Sequence, residues 1–149
     1  LKIRKMDKFM LVVFMLLALA FGGLIIWTTT PYNAGVSPDS VAYIQAARNI
    51  VAGENYHNAL EPPFYPMVLA SIKFLFGIDP LISARYINAV LYASTIFITG
   101  LLLKKYLSSP YLIILCLVFI GFSNALIAPS LMVWTETVFI FLVTLFLFL

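Results

Sequence analysis

The chain has 149 residues, of which 63% are hydrophobic and only 10% are charged. Soluble domains carry about 25% charged residues, so this composition excludes an ordinary soluble domain and predicts an all-α, polytopic integral membrane protein. A single cysteine, Cys116, lies inside an apolar run, so no disulfide can form within these residues.

The first predicted element is a transmembrane helix over residues 9–27, preceded by four basic residues within segment 1–8. A basic flank before an apolar stretch of this length predicts that the N-terminus lies in the cytoplasm. A cleaved signal peptide is the alternative, because Ala18-Leu19-Ala20 resembles a cleavage site. The apolar run continues to Trp27, beyond a typical signal-peptide core, so we favour the membrane anchor.

Residues 28–62 are polar and rich in Pro, Asn and Gly, and they should emerge on the outer side of the membrane. Within them Ser37-Pro38-Asp39 is a helix start, with Ser37 as the N-cap, proline at the first helical position and an acid favoured by the helix dipole. Gly53 is a stop signal. We therefore predict an amphipathic helix over 38–52 that lies on the outer membrane surface.

Residues 63–76 pose a choice between a second span and a second surface helix. The segment has 14 residues and carries Lys73, whereas a span needs about 20 apolar residues. If it crossed the membrane, Lys104 and Lys105 after the next span would lie outside, against the positive-inside rule. We therefore predict a surface helix over 63–76 and an inward span over 85–103.

The remaining sequence predicts an outward span over 111–128, a short outer turn over "PSLMVWTE", and an inward span that begins at 136. Residue 1 is not methionine, and the last apolar run stops at 149 without a polar flank. We therefore expect an N-terminal part of a longer protein, inactive by itself. The predicted topology gathers four charged residues on one outer face: Asp39, Glu61, Arg85 and Glu136.

The chemistry of these residues favours group transfer at a membrane surface. The sequence has no nucleotide-binding glycine loop, no Cys/His metal spacing and no GxSxG motif, and the predicted spans have no ionisable residue in the middle, which disfavours an ion-coupled transporter. An acid that deprotonates a hydroxyl and an arginine that holds a phosphate suit glycosyl transfer from a lipid phosphate. Each also has a structural alternative: Asp39 and Glu136 as helix-start charges, and Arg85 as an interfacial side chain.

The order of motifs resembles the GT-C superfamily of polyprenyl-phosphate-sugar glycosyltransferases, near the protein mannosyltransferase and lipid A aminoarabinose transferase branch. The matching segments follow the first span and are, in order, "PDSVAYIQAARNIVAG", "EPPFYPMVLASIKFLFG", "ISARYINAVLYA", "LLLKKY" and "WTETVF". The sequence departs from the pattern in having Ser40 where many relatives have a second acid, Pro62 where the aminoarabinose branch has lysine, and no DxD motif.

The resemblance implies a large helical membrane enzyme with an extracytoplasmic active face in the plasma membrane. It implies Asp39 as candidate base, Glu136 as a second catalytic acid and Arg85 near the lipid phosphate, with Glu61, Tyr43 and Tyr65 among the substrate-binding residues. The implied partners are a lipid-linked sugar donor and a protein, lipid or glycan acceptor, with no nucleic acid. No cofactor is firmly implied, and a divalent metal stays open. The alternative function is a non-enzymatic membrane protein, such as an assembly subunit, flippase or scaffold.

Overall fold

The computed structural model describes residues 8–54 and 62–149, and these residues fold into helices joined by short loops. Seven helices occupy the described part of the chain, and their bounds are α1 Lys8–Thr29, α2 Pro38–Ala52, α3 Phe64–Phe76, α4 Pro80–Tyr106, α5 Pro110–Gly121, α6 Asn124–Leu131 and α7 Glu136–Phe148. The all-α expectation is therefore confirmed for these residues.

Helices α1 and α4 are the long central pair, and they run antiparallel. The Arg85 side chain near the start of α4 donates to the Ile26 carbonyl near the end of α1, whereas Gly100 near the end of α4 lies against the Phe14 ring. The end of α1 and the start of α4 therefore lie at the same end of the pair. The segment between them, which contains α2 and α3, begins and finishes at that end.

Small residues set the distance between α1 and α4. A Cβ atom at Gly22 would lie 3.0 Å from the Ala93 Cβ and 3.1 Å from the Ala89 carbonyl oxygen. Small side chains let helix backbones approach closely, which is a common way of packing helices in membranes. The adjacent Gly23 has nothing within 4 Å of the same position, so only one of the two glycines is required by packing.

The later helices complete the bundle. Gly121 at the end of α5 lies against the Phe21 ring of α1, and Lys105 near the end of α4 contacts Phe148 at the end of α7 through its carbonyl and its ring. Helix α7 therefore runs parallel to α4, with its start, at Glu136, at the end of the bundle where α1 finishes and α4 begins.

Local sequence explains where several helices begin and end. Ser37, Asp79 and Ser109 each cap a helix through the side chain, and a proline follows at the start of the helix in all three cases. Gly53 and Gly77 end α2 and α3 with φ angles of 74° and 70°, a region that glycine enters without a steric penalty.

In the part of the chain that the structure describes, the buried apolar residues form two clusters. The first joins α1, α4 and α5 along the length of the bundle and includes Phe14, Ile25, Tyr92 and Leu117. The second lies at one end, where α2 and α3 pack on α4 and α7, and includes Tyr65, Leu69, Val133 and Val138. The second cluster fixes the positions of the helix starts that carry the candidate functional residues.

The helix lengths correct the predicted number of spans. Within the described residues, two helices, α1 and α4, are long and apolar enough to cross a membrane, and α5 with α6 makes a third only if the pair, bent by 46°, is one broken span. The prediction of four spans is therefore not met. The segment 111–128 is interrupted at residues 122–123, and α7 has 13 residues, fewer than the roughly 20 that a span requires.

Candidate functional site

The candidate site lies at the end of the bundle where α1 finishes and α2, α4 and α7 begin. Two loops are joined there by backbone hydrogen bonds: the Gly35 N–H donates to the Leu131 carbonyl at 2.7 Å, and the Val133 N–H donates to the Gly35 carbonyl at 3.1 Å. A side chain at Gly35 would collide with the Met132 sulfur. A side chain at this position would have to displace the flexible Met132 side chain, whereas the nearest backbone atom, the Leu131 carbonyl oxygen, would lie 3.4 Å from the added Cβ.

A side-chain hydrogen bond places two carboxylates on the same side of the molecule. The Trp134 Nε1–H donates to the Ser37 hydroxyl at 2.8 Å, and Ser37 is also the N-cap of α2. Asp39 follows Ser37 by two residues in the first turn of α2, and Glu136 follows Trp134 by two residues at the start of α7. Both acids are exposed. The structure thus brings the start of α2 together with the start of α7.

An apolar groove lies between α3 and α7, with Glu136 at its rim. Its volume is about 380 Å³, and it is lined by Pro62, Phe64, Tyr65, Thr135, Glu136, Val138, Phe139 and Leu142. Ligand sites in proteins are largely apolar with a few polar groups that orient the ligand. The groove therefore has the composition of a site for an apolar group that carries a polar end.

Asn88 is buried beneath the groove and connects its two walls, α3 and α7, through hydrogen bonds. Its side chain is fully buried, its amide donates to the carbonyls of Ser130 at 3.2 Å and Met132 at 2.6 Å, and its Oδ1 accepts from the Tyr65 hydroxyl at 3.2 Å. Tyr65 belongs to the α3 wall, while residues 130–132 lead into the α7 wall. The sequence analysis did not single out Asn88, because its partners are 23 to 44 residues away along the chain.

The two tyrosines predicted to bind substrate differ in position. Tyr65 lines the groove, and burial, with a smaller contribution from Tyr43, raises the pKa of its hydroxyl above the usual range, so it remains a donor to Asn88. Tyr43 is only 7% exposed, and its ring packs edge-to-face on Tyr65 with a centroid distance of 5.8 Å. The structure therefore places Tyr43 in the core beneath the groove, where it supports Tyr65.

Arg85 lies at the same end of the bundle and binds the end of α1. Its Nη2 donates to the Ile26 carbonyl at 3.2 Å and to the Thr30 hydroxyl at 2.6 Å, and its guanidinium lies 5.2 Å from the centre of the Tyr86 ring. Its Nε is buried and has no hydrogen-bond partner in the described part of the chain. A cation is favourable at a helix C-terminus, so this contact stabilises the packing of the end of α1 against the start of α4.

An ion pair that the sequence analysis missed anchors α2 to the start of α4. The Arg48 Nη2 donates to both carboxylate oxygens of Asp79, at 3.0 and 3.2 Å. Although burial opposes the shift, hydrogen bonds from the Leu81 N–H and from Arg48 hold the pKa of the Asp79 carboxyl below its ordinary value. The Asp79-Pro80 helix start was a local signal for the cap, but no local signal identified Arg48 as its partner.

Two further predictions concern Glu61 and a metal ion. Glu61 lies outside the described residues, so its place in the site stays a prediction. Within residues 8–54 and 62–149, no three His, Cys, Asp or Glu side chains lie close enough together to hold a metal ion.

Comparison of the chain with protein-family models, with curated proteins and with solved structures found no match.

Proposed function

We propose that this chain forms part of a membrane glycosyltransferase, which moves a sugar from a polyprenyl-phosphate donor to an acceptor hydroxyl at the extracytoplasmic membrane surface. The observation that carries the proposal is the carboxylate of Glu136 at the rim of an apolar groove, on the same side as Asp39. A hydrocarbon tail suits the groove, and a carboxylate within hydrogen-bond reach of an acceptor hydroxyl can take its proton.

In the proposed reaction, Asp39 takes the proton of the acceptor hydroxyl as its oxygen bonds to the anomeric carbon. The bond from that carbon to the phosphate oxygen breaks at the same time, and the electron pair leaves with the polyprenyl phosphate, so the anomeric configuration inverts. The leaving group is already an anion and needs no added proton. Glu136 orients the acceptor or shares the role of base, and the helices α2 and α3 limit access of water.

The role of Arg85 in this proposal is mainly to position the end of α1. We predict that it also contacts the donor phosphate, since a guanidinium binds phosphate through paired hydrogen bonds. Replacing Arg85 with alanine should weaken donor binding and should also destabilise the packing of α1 against α4. Unchanged donor affinity in a variant that is destabilised would restrict Arg85 to its structural role.

The test is sugar transfer by the full-length protein that carries this sequence, reconstituted with a polyprenyl-phosphate-sugar donor and a hydroxyl acceptor. General-base catalysis contributes typically 10²–10⁴-fold, so Asp39→Asn should lower turnover by about that factor. Glu136→Gln should also lower it, while Glu54→Gln, an exposed acid just after the end of α2, is the matched control and should not. Near-normal turnover in Asp39→Asn would remove Asp39 from the mechanism.

A non-enzymatic membrane protein is the second candidate. The observation that favours it is the hydrogen bonding of Arg85, which has a structural explanation without a phosphate. If this candidate is correct, the full-length wild-type protein transfers no sugar under conditions where the donor binds its membrane.

A further inference from the structure

Helix α3 is apolar on both of its faces. Tyr65, Leu69 and Ala70 are buried against the neighbouring helices. The opposite face is exposed and largely apolar, and it carries Phe64, Met67, Phe74 and Leu75, with Phe76 in the last turn. The one polar residue on it, Ser71, donates its hydroxyl to the Met67 carbonyl. Phe74 is 77% exposed. Contiguous exposed apolar surface of this kind marks a site of interaction with another apolar phase or molecule.

Helix α2 differs from α3 in the chemistry of its exposed residues. It packs on α3 through the edge-to-face contact of Tyr43 with Tyr65. Its outward residues include Asp39, Gln45 and Arg48, and Val41 is the one large apolar residue on that exposed face. The two helices therefore form two layers, one with a polar outer surface and one with an apolar outer surface.

We propose that the exposed face of α3 inserts into the lipid leaflet at the end of the bundle where α1 finishes, and that α2 lies above it and faces water. Lipid is the occupant that fits, because the apolar face of α3 continues across the groove into Phe139 of α7, which is exposed on a helix bordering the spans. The only charged residue of α3 is Lys73 in its last turn, where a long cationic side chain reaches the lipid headgroups.

This arrangement has a consequence for the groove. Phe64 belongs to the lipid-facing surface of α3 and Phe139 to that of α7, and both line the groove. The mouth of the groove therefore opens toward the acyl chains, and the polar surface of α2 lies on the water side. The proposal depends only on the membrane location of α1 and α4, and it holds or fails independently of glycosyl transfer.

The test uses single-cysteine variants of the full-length protein in a background where the native cysteines, Cys116 among them, are replaced by serine. Nitroxide labels are placed at Phe74 and Met67 on α3 and, as the matched control, at Gln45 on the exposed face of α2. The protein is reconstituted in vesicles of phosphatidylcholine and phosphatidylglycerol. Power-saturation electron paramagnetic resonance then compares collisions with oxygen, which concentrates in lipid, and with a water-soluble nickel complex.

The proposal predicts that oxygen accessibility exceeds nickel accessibility at Phe74 and Met67 and that the order reverses at Gln45. Greater access of nickel than of oxygen at both α3 positions would place this face in water and overturn the proposal. Low accessibility to both reagents, with dipolar broadening between labels, would assign the face to a contact between two copies and would also overturn it. Low accessibility without broadening would assign it to another protein, with the same consequence.

Discussion

The buried amide of Asn88 is the most informative single position for testing the packing at the candidate site. Its replacement by leucine keeps the same number and branching of side-chain heavy atoms but removes one acceptor and two donors. Three groups then lose their partner: the Tyr65 hydroxyl and the carbonyls of Ser130 and Met132. Because Asn88 is fully buried, water does not reach these groups unless the helices separate.

The expected cost follows from these three hydrogen bonds. Hydrogen bonds between helices in membranes contribute about 0.6 kcal/mol each on average, and about 1.7 kcal/mol at most. A buried polar group left without a partner costs about 1–3 kcal/mol. We therefore expect Asn88→Leu to lower the free energy of unfolding by about 2–4 kcal/mol, which changes the unfolding equilibrium by about 30-fold to 1,000-fold.

The assay is reversible unfolding of the purified full-length protein in mixed micelles as the fraction of sodium dodecyl sulfate rises, followed by circular dichroism. Tyr65→Phe is the control, because it removes one of the three hydrogen bonds and should cost about 0.5–1.5 kcal/mol. The double variant should cost no more than Asn88→Leu alone, since the tyrosine hydroxyl is then absent. A loss below about 0.5 kcal/mol for Asn88→Leu would refute the role of Asn88 in joining the two groove walls.

Two other predictions test the helix packing and the ion pair. Gly22→Leu should lower the free energy of unfolding by about 1–3 kcal/mol, because the added side chain meets α4. Gly23→Leu should not lower it, because nothing lies near the added side chain and leucine is a better helix former than glycine. Equal losses in the same unfolding assay would contradict the close approach of α1 and α4. Asp79→Asn retains a capping side chain but removes the charge that pairs with Arg48, so it isolates the ion pair. Because the folded-state pKa of Asp79 is lowered, its contribution is complete above the unfolded-state pKa of about 3.9 and is lost as the pH falls through the folded-state pKa. Thermal unfolding at decreasing pH should therefore show the wild type losing its advantage over Asp79→Asn, and an advantage that persists in strong acid would contradict this explanation.

Much of the helical framework could be predicted from local sequence. The Ser37-Pro38-Asp39 start and the Gly53 stop gave the bounds of α2, because both signals act on the backbone within a few residues. The long apolar run over residues 9–27 predicted α1. Its last turn extends to Thr29, two residues beyond the predicted end, and the hydroxyls of Thr28 and Thr29 there bond to carbonyls of the preceding turn.

The break between α5 and α6 was not predicted. Hydropathy averages over a window, so the apolar segment 111–128 gave no sign that the helix ends at Gly121 and resumes at Asn124. The local signals were Gly121, where the Phe21 ring approaches closely, and Ser123, which stands at the N-cap position of α6. Part of the predicted outer turn, Pro129 included, belongs to α6.

The contacts that organise the site also lay beyond prediction from one sequence. The hydrogen bond of Trp134 to Ser37 joins residues 97 positions apart, and the ion pair of Arg48 with Asp79 joins residues 31 positions apart. No local propensity encodes such pairs, because they depend on how the helices pack. The location of Asp39, Arg85 and Glu136 at one end could be predicted only because it follows from helix direction.

The most direct test of the proposed arrangement is the side of the membrane on which each end of the bundle lies. In a background where the native cysteines, Cys116 among them, are replaced by serine, Asp39→Cys and Lys104→Cys are treated in intact cells with a maleimide that does not cross membranes. We predict labelling at position 39 in intact cells and labelling at position 104 only after the cells are permeabilised, since the start of α2 and the end of α4 lie at opposite ends of the bundle. Labelling at position 104 in intact cells, with position 39 protected, would contradict an extracytoplasmic active face.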